Sequence, residues 1–244
     1  MRALTAQQLL AVWESGQGRS PAERALALLA AACPATSLES LARLSIGQRD
    51  ARLLRLREWA FGSQLAGIAD CPQCGERLEM SFAADDIRAG EENESSEPLS
   101  LGVEDYELSF RLPNSSDLMA ASNGGDRNAI KQTLIERCVL RASHRGAATM
   151  IAQLPESVVT AISERMVEAD PQADVQLELD CPGCGHEWRA AFDIVSFFWS
   201  EIGVWAKRVL REVHILASAY GWREDDILAM SPWRRQIYLE MLRA

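Results

Sequence analysis

Two short motifs of the same form constrain this chain more than any other feature: CPQCG, which begins at Cys71, and CPGCG, which begins at Cys181. Two cysteines separated by two residues direct both thiolates at one ion from a single turn, and two such turns complete a tetrahedron. The soft four-sulfur set of Cys71, Cys74, Cys181 and Cys184 is one that Zn²⁺ prefers. We therefore expect one structural zinc ion per chain, which joins two distant parts of the sequence.

Three other roles of these cysteines remain open at this point: a redox pair, a disulfide, or two half-sites that other chains complete. His186, two residues after Cys184, is an alternative ligand. It competes poorly with a fourth thiolate that the motif already positions. A closed four-cysteine shell leaves no coordination position for water, so we expect the metal to stabilise the fold and not to perform catalysis.

Alternating apolar residues flank both motifs and predict short strands that enter or leave a tight turn. Leu78, Met80 and Phe82 follow the first motif, and Leu177 and Leu179 precede the second. Each motif is therefore expected at the tip of a β-hairpin. The glycine after the second cysteine of each motif permits the unusual backbone torsions of such a turn.

Helical signals dominate the rest of the chain. Ser20 with Glu23, and Ser45 with Gln48, have the spacing of capping boxes, and a long helical pattern runs from Asp193 to about residue 219. The fold is predicted to be α+β, predominantly helical with a small β zinc-ribbon module formed by the two hairpins. The expected units are an N-terminal helical unit (1–66), the zinc-ribbon module (67–84 and 172–192), an acidic linker (85–98), an inserted α/β segment (99–171) and a C-terminal helical module (193–244).

The acidic linker is predicted from its charge and its lack of apolar periodicity. The stretch from residue 85 to residue 97 has six acidic residues and one arginine. Such a composition is typical of a solvated surface loop, and an acidic docking segment for a basic partner is the less favoured alternative.

Charge and composition restrict the classes of function. The 244-residue chain has 25 basic and 35 acidic residues, a net charge of −10, which counts against nucleic-acid binding as a default. Polar residues interrupt the apolar N-terminus, and no long uncharged apolar window occurs, so we expect neither a standard signal peptide nor a membrane span. The cysteine pattern favours a reducing, cytoplasmic location. Three dispersed histidines and the absence of nucleotide or hydrolase motifs indicate that the protein is not an enzyme.

Several stretches of the sequence resemble one known family. They are ALALLAAACP, LLRLREWAFGSQL, CPQCGERLEM, FRLPNSSDL and CPGCGHEWRAAFDIVSFFW, together with LREVHILASAYGWREDDILAMSPWRRQIYLEML near the C-terminus. The last resembles a segment of proteins from phage tails and phage-derived contractile injection systems. The others resemble larger bacterial relatives of the T4-type phage baseplate protein family. The resemblance implies a baseplate or hub component, or an assembly chaperone, whose partners are other baseplate, hub or tape-measure proteins, with incorporation into a tail-like particle.

Residues near the C-terminus are candidates for a protein interface, because aromatic residues and arginine commonly anchor such surfaces. They are Trp222, Trp233, Arg234, Arg235 and Tyr238. The alternative function is a zinc-ribbon nucleic-acid-binding regulator, in which residues 217–242 form a helix-turn-helix that presents the arginine pair. A CxxC oxidoreductase is less favoured because no general base lies near either motif in the sequence.

Overall fold

The computed structural model describes residues 1–89, 98–122 and 126–242, which form a mixed helical and β structure. The helices are α1 Ala6–Ser15, α2 Pro21–Ala32, α3 Leu38–Ala42, α4 Ile46–Phe61, α5 Ser115–Ala121, α6 Arg127–Cys138, α7 Glu156–Ala169, α8 Ile194–Tyr220, α9 Glu224–Ala229 and α10 Pro232–Met241. The strands are β1 Gln64–Asp70, β2 Arg77–Ala83, β3 Leu99–Val103, β4 Tyr106–Phe110, β5 Val139–His144, β6 Ala147–Ala148, β7 Gln176–Asp180 and β8 Glu187–Ala191. The predicted α+β class is confirmed.

Local sequence signals determine where the N-terminal helices begin and end. Ser20 caps α2 and Ser45 caps α4, and both form the reciprocal capping boxes that their spacing predicts. Gly62 ends α4 with a φ of 90°, and Gly221 ends α8 in the left-handed region with a φ of 68°. A side chain with a β-carbon disfavours such angles, so these glycines stop the helices at defined positions.

Helix α8 connects two parts of the hydrophobic core. Its first half contributes Phe198 and Ile202 to a core shared with α1, α2, α4 and the hairpin β1–β2. Its second half contributes Val209 and Leu216 to a smaller core shared with α9 and α10. Apolar residues at helical spacing along one face explain how a single 27-residue helix packs into both.

The two cysteine motifs occupy the tips of two antiparallel hairpins, as the alternating pattern predicts. Strand β1 pairs with β2 through a register that ends at Asp70 opposite Arg77, and β7 pairs with β8 through a register that ends at Asp180 opposite Glu187. Among the described residues, each hairpin forms a two-stranded sheet of its own. Two-stranded sheets are marginal alone, so their stability must come from contacts beyond the strands.

The segment between the hairpins has its own sheet and its own core. Strands β3, β4, β5 and β6 form an antiparallel sheet in that order, and Phe110, Ile135 and Ile162 are buried where α6 and α7 pack on it. Apolar residues alternate along β3 and β4, which is the sequence pattern of a hairpin, but β5 and β6 lack such a pattern. Strand β5 begins directly after α6 without a breaker residue, and β6 has only two residues, so neither has a recognisable pattern.

The prediction of an acidic linker over 85–98 is wrong at its beginning. Residues 84–87 form a short 3-10 helix in which Ile87 is buried, and Arg88 forms an ion pair with Glu58 of α4. The backbone N–H of Ala89 donates to Gln172. The apolar side chain of Ile87 and this pairing outweigh the acidic composition, while residues 90–97 lie outside the described residues.

Within the described ranges, none of the helices combines the length and the apolar character needed to cross a bilayer.

An ion pair between α4 and α8, buried on the arginine side, provides a test of this packing. Arg57 donates to both carboxylate oxygens of Glu201 at 2.8 and 2.6 Å and to the carbonyl of Gly62 at 2.7 Å, and its side chain is 3% exposed. Glu201→Ala leaves this guanidinium without its counter-charge, so we expect the free energy of unfolding to fall by roughly 3 kcal/mol. Glu39→Ala, which removes an exposed partner of Arg43, is the matched control and should change it by less than about 0.5 kcal/mol. Urea denaturation measures both, and equal effects would contradict a structural role for the Arg57 pair.

Candidate metal centre

The turns that contain the two cysteine motifs have the same backbone hydrogen bonds. The N–H of Cys71 donates to the carbonyl of Glu76 at 2.8 Å, and the N–H of Gly75 donates back to Cys71 at 2.9 Å. The corresponding bonds of the second turn join Cys181 with His186 at 2.9 Å and with Gly185 at 2.8 Å. These two hydrogen bonds close each turn and place both of its cysteine sulfur atoms on the same side.

The four sulfur atoms meet between the hairpin tips. Sγ of Cys71 lies 3.7 Å from Sγ of Cys184, Sγ of Cys74 lies 3.6 Å from Sγ of Cys181, and all four lie within 4.8 Å of one another. A tetrahedral zinc site with bonds of about 2.3 Å requires sulfur separations of about 3.8 Å. The donor set and its spacing therefore fit one tetrahedral ion. The separations are too long for a disulfide, whose bond is about 2.05 Å.

Electrostatics within the cluster disfavour four thiolates in the absence of a cation. Burial tends to raise the pKa of Cys71, but the N–H groups of Cys74 and Gln73 that donate to its sulfur lower it to about 7. The N–H of Glu76 favours the thiolate of Cys74, but the sulfurs of Cys184 and Cys181 outweigh it and raise the pKa of Cys74 to about 12. One ionised sulfur thus opposes ionisation of the next, and a divalent cation would relieve this repulsion.

The opposite ends of the hairpins also meet. The ring of Phe82, near the end of β2, packs edge-to-face on Phe192 after β8, with centroids 5.7 Å apart, and Phe192 contacts Phe197 of α8 at 5.3 Å. The hairpins therefore approach each other at two separate places, the sulfur cluster and this phenylalanine contact. Phe82, one half of this contact, is the last of the alternating apolar residues at positions 78, 80 and 82.

His186 does not join the sulfur cluster. The group of metal-binding side chains found among the described residues comprises the four cysteines, and the imidazole of His186 instead stacks on Trp188 with ring centroids 6.0 Å apart. Its backbone carbonyl accepts the hydrogen bond from Cys181 described above. The residue therefore supports the turn through its main chain.

The C-terminal candidates for an interface divide into exposed and packed residues. Trp233 is 75% exposed on α10, and the exposed guanidinium of Arg234 lies over the ring of Tyr238 at 5.8 Å from its centroid. Trp222 and Tyr238 are half-buried, pack edge-to-face at 4.8 Å and also contact Tyr220. Trp233 and Arg234 are thus accessible, while the other two aromatic residues support the same surface from beneath.

The prediction that Arg235 belongs to this exposed surface is wrong. Its side chain is buried, donates to Glu212 of α8 at 3.0 Å and donates to the carbonyl of Met230 at 2.7 Å. A buried guanidinium needs such partners, and they attach α10 to α8. Only one member of the adjacent arginine pair is therefore available to a partner.

Sequence reasoning missed a basic stripe on α8. Lys207, Arg208 and Arg211 are exposed on the part of the helix that follows the ion pair of Glu201. The near balance of seven basic and six acidic residues from 200 to 244 concealed it, because Glu201 and Glu212 have partners in the core. Plotting only the exposed positions on a helical wheel would have found the stripe.

Comparison with known proteins places the chain in a class of phage-tail structural proteins. The family model described as T4 bacteriophage base plate protein matches residues 5–199. The chain therefore belongs to this family, as its resemblance implied. The match ends within α8, so it does not test the resemblance of residues 210–242 to tail proteins. Searches of curated proteins and of solved structures gave no match.

The geometry of the turns predicts that their glycines are required for the cysteine positions. Gly185 has a φ of 71°, a conformation that disfavours any residue with a β-carbon. Gly185→Ala should destabilise the protein by about 1 to 2 kcal/mol. Gly102→Ala, in β3 with open space around the added carbon, is the control and should have a smaller effect. Thermal unfolding of both variants measures this, and an unchanged midpoint for Gly185→Ala would contradict the required turn geometry.

Proposed function

We propose that this protein is a non-enzymatic component of a phage tail-like contractile particle, either a part of the baseplate hub or an assembly chaperone for it. The family match over residues 5–199 is the observation that carries the proposal. The expected partners are other baseplate, hub or tape-measure proteins, and the expected location is the cytoplasm followed by incorporation into the particle. The sequence offers no catalytic motif beside the cysteine cluster, which agrees with a role in assembly.

One structural zinc ion per chain, bound by Cys71, Cys74, Cys181 and Cys184, is the second part of the proposal. Its support is the donor set of four sulfurs at separations near those of a tetrahedral shell. Such an ion holds the hairpin tips together and stabilises the fold without taking part in a reaction. Its removal is expected to separate the tips, because each hairpin is a two-stranded sheet.

Metal analysis tests the zinc proposal. Protein purified without a histidine tag should contain one zinc per chain, and Cys74→Ser should lose the metal and melt at a lower temperature, because structural metal binding is coupled to folding. Cys33→Ser, at a buried cysteine outside the cluster, is the control: it should keep the metal whatever its effect on stability. A zinc content near zero, with all thiols freely titratable in the folded protein, would refute the site.

The accessible part of the C-terminal surface, Trp233 and Arg234, is proposed to contact a particle protein. An exposed tryptophan beside an arginine is the kind of pair that dominates binding energy at interfaces. Neither side chain supports the core, since Trp233 is 75% exposed and Arg234 is exposed beside Tyr238. Substitution can therefore separate binding from folding.

Particle assembly from the native gene cluster tests this surface. Trp233→Ala should melt at the same temperature as the wild type. It should lower the amount of this protein in purified particles at least tenfold, or the yield of particles at least tenfold if the protein acts as a chaperone. A tenfold loss corresponds to about 1.4 kcal/mol of binding free energy. Trp59→Ala, at another exposed tryptophan, is the control and should assemble normally. Normal assembly by the Trp233 variant would contradict the proposed contact, and normal particles without the gene would contradict the assembly role.

The alternative of a nucleic-acid-binding regulator has weaker support. Its helix-turn-helix interpretation needs both arginines of α10 at the surface, but the buried Arg235 is bonded to Glu212. The net charge of −10 also opposes binding to a phosphate backbone.

A further inference from the structure

An open apolar groove lies between the first hairpin and α8. It has a volume of about 560 Å³, and Phe61, Phe197 and Trp205 form part of its floor. Two exposed aliphatic side chains stand at its edges, Ile68 of β1 at 60% and Val204 of α8 at 70% exposure. Exposed apolar residues that line one concavity, and are not scattered singly, are typical of an interaction site.

The groove continues into a basic stripe along α8. Val204, Arg208, Arg211 and Ile215 recur at intervals of three and four residues and therefore share one face of the helix. Arg208 also lines the groove. From Phe197 to Ile215 this face is about 27 Å long at 1.5 Å per residue, the length of a five-turn helix of a partner.

Within the described ranges, the cations of this stripe have few counter-charges. Lys207 and Arg211 form no ion pair with any described residue, and Arg208 lies 3.8 Å from Glu212, whose other oxygen is bonded to Arg235. Among the described residues that line the groove, the one carboxylate is that of Glu201, and it is bound by Arg57. A positive stripe on a chain of net charge −10 attracts an acidic partner to this face and leaves the rest of the surface repulsive.

We infer that the groove and the stripe bind an acidic amphipathic helix of another protein. Its apolar side chains lie in the groove between Ile68 and Val204, and its carboxylates pair with Lys207, Arg208 and Arg211. A phosphate backbone gains nothing from the aliphatic side chains that border the cations. A membrane surface does not reach a floor recessed between a hairpin and a helix, so a protein helix fits both features best.

Two designed peptides test this inference with the full-length protein. The first is a labelled 18-residue helix with Leu on one face and Glu on the other, and the second has Lys in place of every Glu. Fluorescence anisotropy should show binding of the acidic peptide that weakens with added salt, and no binding of the basic peptide. Arg208→Glu combined with Arg211→Glu should weaken binding of the acidic peptide at least about tenfold.

Matched variants separate the site from general effects of charge and hydrophobicity. Arg127→Glu with Arg141→Glu makes the same charge change at exposed positions of the inserted segment and should bind like the wild type. Val204→Ser should weaken binding, whereas Val167→Ser, at an exposed valine of α7, should not. The inference is overturned if the site variant and its matched control lose peptide affinity equally, for the arginine variants or for the valine variants. It is also overturned if the wild type does not bind the acidic peptide.

Parallel titrations with duplex DNA and with anionic vesicles identify the class of partner. Binding of either one that depends on Arg208 and Arg211, with no binding of the acidic peptide, overturns the assignment to a protein helix. The inference deepens the proposed function, but the peptide measurement needs no particle. If the protein binds the acidic peptide but normal particles form without the gene, only the assembly role is overturned. If particles require the gene but the protein does not bind the peptide, only the groove inference is overturned.

Discussion

The fold depends on holding together two hairpin tips that are far apart in the sequence. Cys74 and Cys181 are 107 positions apart, and the length-dependent part of the entropy for closing such a loop is about 4 kcal/mol. Neither two-stranded hairpin compensates for this alone. The contact of Phe82 with Phe192 closes one end, and the four sulfurs lie together at the other end, where the proposed zinc ion would join them. Closing both ends fixes the relative orientation of the hairpins, which a single contact would leave free to pivot.

Closing the hairpins also explains how the inserted segment can be long without weakening the main core. Its sheet, β3 to β6, buries Phe110 and Ile162 in a separate cluster, so it adds its own apolar contacts. Asp117, at its boundary, accepts from Arg111 at 2.6 Å and from Arg137 at 2.9 Å. Burial alone would raise the pKa of Asp117, but these guanidiniums and the N–H of Asn114 hold it below its usual value. Within the segment, the buried Asp117 of α5 therefore joins the residues after β4 to the end of α6.

The parts of this structure that could be predicted from sequence are those with local causes. The capping boxes at Ser20 and Ser45, the stop at Gly221 and the strands beside the cysteine motifs follow from spacing and backbone preference. The four cysteines could be grouped because metal chemistry requires four donors. Strand β5 and the burial of Arg235 could not be predicted, because each depends on which element from a distant part of the sequence packs against it. Composition was misleading at Ile87, where one apolar residue packs into the core from an acidic stretch.

The ion pairs formed by the acidic residues of α8 affect both the packing of the core and the charge of the surface that a partner can reach. Glu201 and Glu212 both lie on α8, and both are bound by arginines from other helices, Arg57 and Arg235. These pairs attach α4 and α10 to α8. They engage Glu201 and one oxygen of Glu212, so that the other oxygen of Glu212, 3.8 Å from Arg208, is the counter-charge left for the cations of α8 among the described residues. The basic stripe is therefore a consequence of how the core is assembled. Because the first hairpin forms the opposite wall of the adjoining groove, separating the hairpin tips would alter that wall while leaving the cations of α8 in place.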